Sequence, residues 1–148
     1  MNILIIENEI YLAQKVVSRL LDDGHSCDYI ESPNIDNLTK DYDTILLSTS
    51  LPSALCKNII KKYSENSIIL LLVSYISDET VTNPIKDGAK DYIMKPFIMD
   101  ELIRKIYHYK DCRSLKRELQ TLREYFEFTM TDIDTTDVLL PPLFPTLI

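Results

Sequence analysis

Five short strand-like runs, each followed by a stretch that is helical in spacing or bounded by turn residues, constrain this chain more than any other feature. The runs are Asn2–Ile6, Ser26–Ile30, Thr44–Leu47, Ile68–Val73 and Asp91–Met94. Each has the length of a strand and is too short for a stable helix. After the first run, Ala13, Val16, Val17, Leu20 and Leu21 recur at i, i+3, i+4, i+7 and i+8, which predicts one buried helix face. Gly24 follows as a natural C-terminal residue for that helix. Ser32-Pro33-Asn34 leads to a short helix expected around Ile35–Lys40. Leu51-Pro52-Ser53 opens a third helix, with Ile59, Ile60 and Tyr63 on its core face. A weaker helix is expected over about Asp78–Asp87, ending at Gly88. The last opens at Met99 or Asp100, with Leu102, Ile103 and Ile106 turned inward. Five strands alternating with five helices predict an α/β chain with a doubly wound, five-stranded parallel sheet covered on both faces.

In such a sheet, functional groups gather at the C-terminal ends of the strands, where the strand order reverses. The residues at those ends are Glu7, Asn8, Ser48, Val73, Ser74 and Lys95. They are scattered in sequence and are expected to converge in space.

Composition removes several alternatives. Two Gly in 148 residues exclude a P-loop and a Gly-rich dinucleotide fingerprint. Cys27, Cys56 and Cys112 form no CxxC pair, and an odd, scattered count points to reduced thiols. Cys27 and Cys56 read as small core-like residues, while Cys112 lies on a helix where packing and a redox role both stand. His25 and His108 are isolated from acids and thiols, so no metal site is expected. The formal charge of −7 argues against a surface that is basic throughout. No apolar stretch approaches the length of a membrane span, and the N-terminus lacks signal-peptide features. A cytoplasmic location without membrane contact is the expectation.

Over roughly residues 1–110 the chain resembles the receiver domain of bacterial two-component response regulators. The resemblance rests on Ile3-Leu4-Ile5-Ile6-Glu7-Asn8-Glu9, on Leu51-Pro52, and on the run from Gly88 to Phe97, Gly-Ala-Lys-Asp-Tyr-Ile-Met-Lys-Pro-Phe. It implies the flavodoxin-like receiver fold, with Lys95-Pro96 as a cis peptide and Tyr92 at the position of an aromatic switch. It also implies a phosphoacceptor pocket in which two adjacent acids and an aspartate hold Mg²⁺, and a Thr or Ser and a Lys bind the phosphoryl oxygens. Here the acidic pair is Glu7-Asn8, and the aspartate position holds Ser48. The Thr/Ser position falls on Val73, with Ser74 one residue later should the following loop be one residue shorter. Only Glu7 and Lys95 keep the family pattern. They read as a structural ion pair, and their charges cancel.

Mg²⁺ requires several hard anionic oxygens, so the metal site is expected to be lost, with no cofactor and no catalytic residue. Phosphotransfer from a histidine kinase is not expected, and the chain reads as non-enzymatic. Glu9 and Asp43 are the remaining acids that an unusual acceptor could use, and neither sits at the required strand end.

Helical patterning runs on past the receiver region, taken as residues 1–111. Cys112, Leu115, Leu119, Leu122 and Phe126 are spaced 3, 4, 3 and 4, the a/d seam of a coiled coil. Two readings stand for this linker, 112–128: a dimerisation seam, or an amphipathic helix packed on its own domain. Seven positive and three negative side chains between Glu101 and Arg123 make the stretch basic, without a recognition motif for direct DNA contact. The tail, 129–148, turns apolar and Pro-rich. It reads as a partner-binding segment, a segment folded back on the domain, or the start of an output domain not in this chain. The leading expectation is a phosphorylation-independent receiver of an orphan response regulator, a homodimer that reaches DNA through such an output domain. The alternative is a stand-alone adaptor that binds a partner protein through the helix or the tail.

Overall fold

The computed structural model describes residues 1–132 apart from Pro33, Ile35 and Asp36, with side chains as far as Glu127. Five strands, β1 (Asn2–Ile6), β2 (Ser26–Ile30), β3 (Thr44–Ser48), β4 (Ile68–Val73) and β5 (Asp91–Met94), form one parallel sheet in the order β2-β1-β3-β4-β5. Register pairs Ile5 with Tyr29 and with Leu46, Leu46 with Leu70, and Leu71 with Tyr92. The chain leaves β1 toward one edge and returns at β3 toward the other, so the order reverses between β1 and β3. That places a crevice outside the C-terminal ends of these two strands.

Four α-helices accompany the sheet among the described residues: α1 (Ile10–Asp22), α2 (Ser53–Tyr63), α3 (Asn83–Asp87) and α4 (Met99–Asp132). Side chains alternate across the strands and build a core on each face. On one face Leu4, Ile6, Leu47 and Leu71 pack with Cys56, Ile59, Ile60 and Tyr63 of α2. On the other, Ile3, Ile5, Leu70 and Leu72 pack with Ala13, Val16 and Leu20 of α1 and with Leu102, Ile103 and Ile106 of α4. Strands β3 and β4 are buried along their whole length, as a sheet covered on both sides demands.

Several local expectations change. Leu21 was assigned to the buried face of α1 but is 53% exposed, because the stripe narrows to Ala13, Val16 and Leu20. Strand β3 runs one residue further than its apolar run and includes Ser48. The short helix expected around Ile35–Lys40 falls partly outside the described residues, and Leu38, Thr39 and Lys40 are not helical. There Lys62 donates to the Leu38 carbonyl and the Tyr63 hydroxyl donates to the Lys40 carbonyl at 3.3 Å. Side chains of α2 thus satisfy two backbone carbonyls of this non-helical segment. The weak helix at Asp78–Asp87 divides into a π-helical turn, Asp78–Thr82, and α3. Ser77 caps the turn, its hydroxyl accepting from the Thr80 N–H while the Thr80 hydroxyl accepts from the Ser77 N–H.

The chain divides into two compact units, Met1–Lys110 and Asp111–Ile148. The division falls one residue before the expected boundary and inside a single helix, since α4 is continuous to Asp132. The first four residues assigned to the tail, from Thr129, therefore belong to a helix. The rest of the tail, 133–148, lies outside the described residues. No helix among the described residues is long and apolar enough to cross a membrane.

Candidate functional site

The crevice at the switch point is floored by residues from three strand ends. Glu7 follows β1, Ser48 closes β3 and Lys95 follows β5, with the Lys95-Pro96 peptide cis as expected. The Lys95 backbone N–H donates to the Val73 carbonyl at 2.8 Å, which carries the lysine back over β4 toward β1 and β3. Its ammonium meets Glu7 Oε2 at 2.7 Å, with the carboxylate side chain fully buried and the lysine side chain 8% exposed. The other carboxylate oxygen, Oε1, accepts from the Glu9 N–H at 3.1 Å. The expected ion pair is therefore present and is anchored on both sides.

Lys95 Nζ also donates to Ser48 Oγ at 3.0 Å. Ser48 Oγ lies 2.6 Å from Ser50 Oγ, and Ser50 donates its own proton to Asn8 Oδ1 at 2.9 Å. Because the Ser50 proton is committed to Asn8, the Ser48 proton points at Ser50. The hydrogen bonds run in one direction, from the Lys95 ammonium through Ser48 and Ser50 to the Asn8 amide. Ser48 accepts from a cation and donates to a neutral hydroxyl, so no base is placed to raise its nucleophilicity.

Ser50 was not singled out in the sequence, although it connects Asn8 to Ser48. Its position two residues after a strand end was the only signal. Glu9, which does not sit at the expected strand end, nevertheless brings its Oε1 to 3.9 Å from Lys95 Nζ on a 59% exposed side chain. The pocket charge is therefore less evenly cancelled than Glu7 and Lys95 alone suggest. Asp43 is remote: its carboxylate accepts from the Asn2 N–H at 2.8 Å, at the opposite end of the sheet.

Val73 and Ser74 part company. Val73 ends β4 opposite Met94 with its side chain in the α2-side core, whereas Ser74 is exposed. Among the described residues, neither side chain hydrogen-bonds Lys95 or Ser48. The oxygens that do converge are one carboxylate, one amide carbonyl and two hydroxyls, each engaged with a protein donor or acceptor. Such a donor set is poor in charge for Mg²⁺. Among the described residues no group of three His, Cys, Asp or Glu side chains is placed to hold a metal ion.

Tyr92 is half-buried against the α2-side core. Lys105 fixes its surroundings by donating to the Tyr92 carbonyl at 2.8 Å with the ammonium 5.8 Å from the ring centroid. The same lysine bonds Asp91 at 3.1 Å, and Tyr109 adds a bond at 2.9 Å. Burial pushes the Asp91 carboxyl up, but the Tyr92 N–H, Lys105 and Tyr109 outweigh it and hold it below the usual carboxylate range.

His25 is less isolated than its sequence context suggests. Its Nε2 lies 2.7 Å from the Tyr107 hydroxyl and its Nδ1 3.2 Å from the N-terminal amine. Burial pushes the Cys27 and Cys56 thiols up to about 11, which suits packing residues and leaves few reactive thiolates at neutral pH. Along α4, Leu115, Leu119 and Leu122 are 59%, 48% and 51% exposed, while Cys112 and Phe126 are half-buried.

No family model matches the chain. It is 36% identical over 112 residues to the response regulator ArlR of Staphylococcus haemolyticus, an alignment covering 71% of this chain and 50% of that protein. It is 32% identical over 113 residues to the transcriptional regulatory protein DltR of Streptococcus agalactiae, covering 72% and 50%. The chain thus spans about half the length of the curated relatives it matches. A CheY-like response regulator receiver domain from Methanospirillum hungatei superposes with a TM-score of 0.69 at 21% identity, over 78% of this chain and 97% of that one. Strand order, the switch-point crevice and these likenesses agree: the chain has the receiver fold, and its relatives over that fold are response regulators.

Proposed function

We propose that this chain is the receiver module of a response regulator that controls transcription, and that it works without phosphate from a histidine kinase. The reading is supported above all by the Lys95 ammonium, which binds Glu7 and Ser48 together in the pocket. In a working receiver these positions would gather negative charge around a dication and present an aspartate to the phosphoryl group. In this chain one buried carboxylate is already neutralised, and Ser48 is hydrogen-bonded as a neutral link. Phosphoryl transfer depends on charge neutralisation and positioning, and this pocket offers little of either. The module has no enzymatic step of its own and needs no Mg²⁺.

The likeness to DltR, a transcriptional regulatory protein, supports a transcriptional role; in this proposal that role is exerted in the cytoplasm through a DNA-binding output domain. Dimerisation, through the second unit of the chain, is then the means of control. Incubation with acetyl phosphate and Mg²⁺ followed by intact-mass measurement tests the reading. The expected result is an unchanged mass, and stoichiometric addition of one phosphoryl group overturns it.

A further inference from the structure

We infer that the helical stretch from Asp111 to Phe126 pairs with the same stretch of a second copy as a parallel, in-register two-stranded coiled coil. The inference rests on the dimeric reading above and adds orientation and register to it. Three observations carry it.

First, every side chain from Ser114 to Tyr125 is exposed, although the helix continues through them. Helices of a few turns draw most of their stability from packing an apolar face. Second, that face is a heptad seam, with Cys112, Leu119 and Phe126 at a positions and Leu115 and Leu122 at d.

Third, the flanking charges are sorted. The g positions before Cys112 and Leu119 are Asp111 and Glu118, both acidic, and the one before Phe126 is the uncharged Tyr125. The e positions that follow each d residue are Lys116 and Arg123, both basic. In a parallel pair a g residue faces the e residue five positions later on the partner helix. Asp111 then meets the second copy's lysine at 116, and Glu118 meets its arginine at 123. Both opposite-charge pairs occur twice by symmetry. An antiparallel pair would instead set g against g and e against e, placing acid beside acid and base beside base. The remaining positions, such as Arg113, Arg117 and Glu124, are polar and suit the outer surface.

Cys112 gives a direct reading of register. At an a position of a parallel pair it lies beside its own counterpart, within reach of a disulfide, whereas in an antiparallel pair it does not. The full chain at about 50 micromolar is expected to sediment as a dimer. Mild oxidation with diamide is expected to yield a covalent dimer on a non-reducing gel that Cys112→Ser abolishes. The double variant Lys116→Glu/Arg123→Glu is expected to raise the dimer dissociation constant about tenfold or more, and mixing it with Asp111→Lys/Glu118→Lys is expected to restore dimers. Circular dichroism of each variant alone checks that the sheet domain is intact. A dimer that gives no link through Cys112, or that ignores the charge reversal, overturns the parallel register and leaves the dimeric module standing. A monomer at this concentration overturns both.

Discussion

Lys95 and Glu7 lie 88 positions apart in sequence, yet they meet at 2.7 Å beneath the C-terminal edge of the sheet, the carboxylate fully out of reach of solvent. A buried pair of this kind adds little net stability compared with an apolar replacement of equal shape. Removing one partner is costly because it strands the other charge. Lys95→Met is therefore expected to lower unfolding stability by about 3–5 kcal/mol. Lys95→Met combined with Glu7→Gln should recover most of that loss. Urea denaturation of the three proteins measures both effects, and equal losses in the single and double variants would show that the pair is not coupled.

Restoring charge to the pocket is expected to restore its chemistry. Ser48→Asp combined with Asn8→Asp places two further carboxylates around Glu7 and Lys95. The double variant is expected to bind Mg²⁺ with millimolar or better affinity, as seen by titration calorimetry, and to gain one phosphoryl group from acetyl phosphate. The parent chain is expected to do neither. Failure of the variant to bind Mg²⁺ would place the defect in pocket geometry rather than in charge.

His25 is expected to make stability pH-dependent. Burial lowers its pKa from 6.5, the neighbouring N-terminal amine and Lys110 lower it further, and Asp23 opposes them. Below that value the unfolded chain holds more protons than the folded one. The stabilising contribution is thus complete above 6.5 and is lost as pH falls through the lower, folded value. His25→Gln should flatten this acid-side loss, measured as the change in denaturation midpoint between about pH 7.5 and pH 5. Parallel slopes for the two proteins would remove His25 as the cause.

The two glycines are expected to respond unequally to alanine. Gly88 has φ +135° and an added Cβ would lie 2.6 Å from the Ser64 Cβ, so Gly88→Ala combines backbone strain with a steric clash. A loss of about 1–3 kcal/mol from the strain is expected, increased by the clash. Gly24 has φ +87° with open space around it, so Gly24→Ala should cost only about 1 kcal/mol. Thermal melts order the two variants, and equal losses would mean that Ser64 moves aside freely.

The order of strands and helices was legible in the sequence because it follows from local spacing. Ile68–Val73 can be little other than a buried strand, and Ala13, Val16 and Leu20 can share only a helix face. Sequence also showed that Ser48 and Asn8 are not carboxylates, and it put Glu7 and Lys95 at strand ends. What it did not show is how those ends are joined. Ser50 enters the site because its hydroxyl bridges Asn8 and Ser48, and the direction of the Ser48 proton follows from that bridge. Val73 turns into the core while Ser74 turns out, a choice made by the pleat of β4 and invisible to residue counting. Likewise the Leu38 and Lys40 carbonyls find their donors on α2, in a segment that local spacing had marked as helix. Periodicity is a property of neighbours along the chain. Hydrogen-bond partners across a sheet are decided only when strands far apart in sequence close against one another.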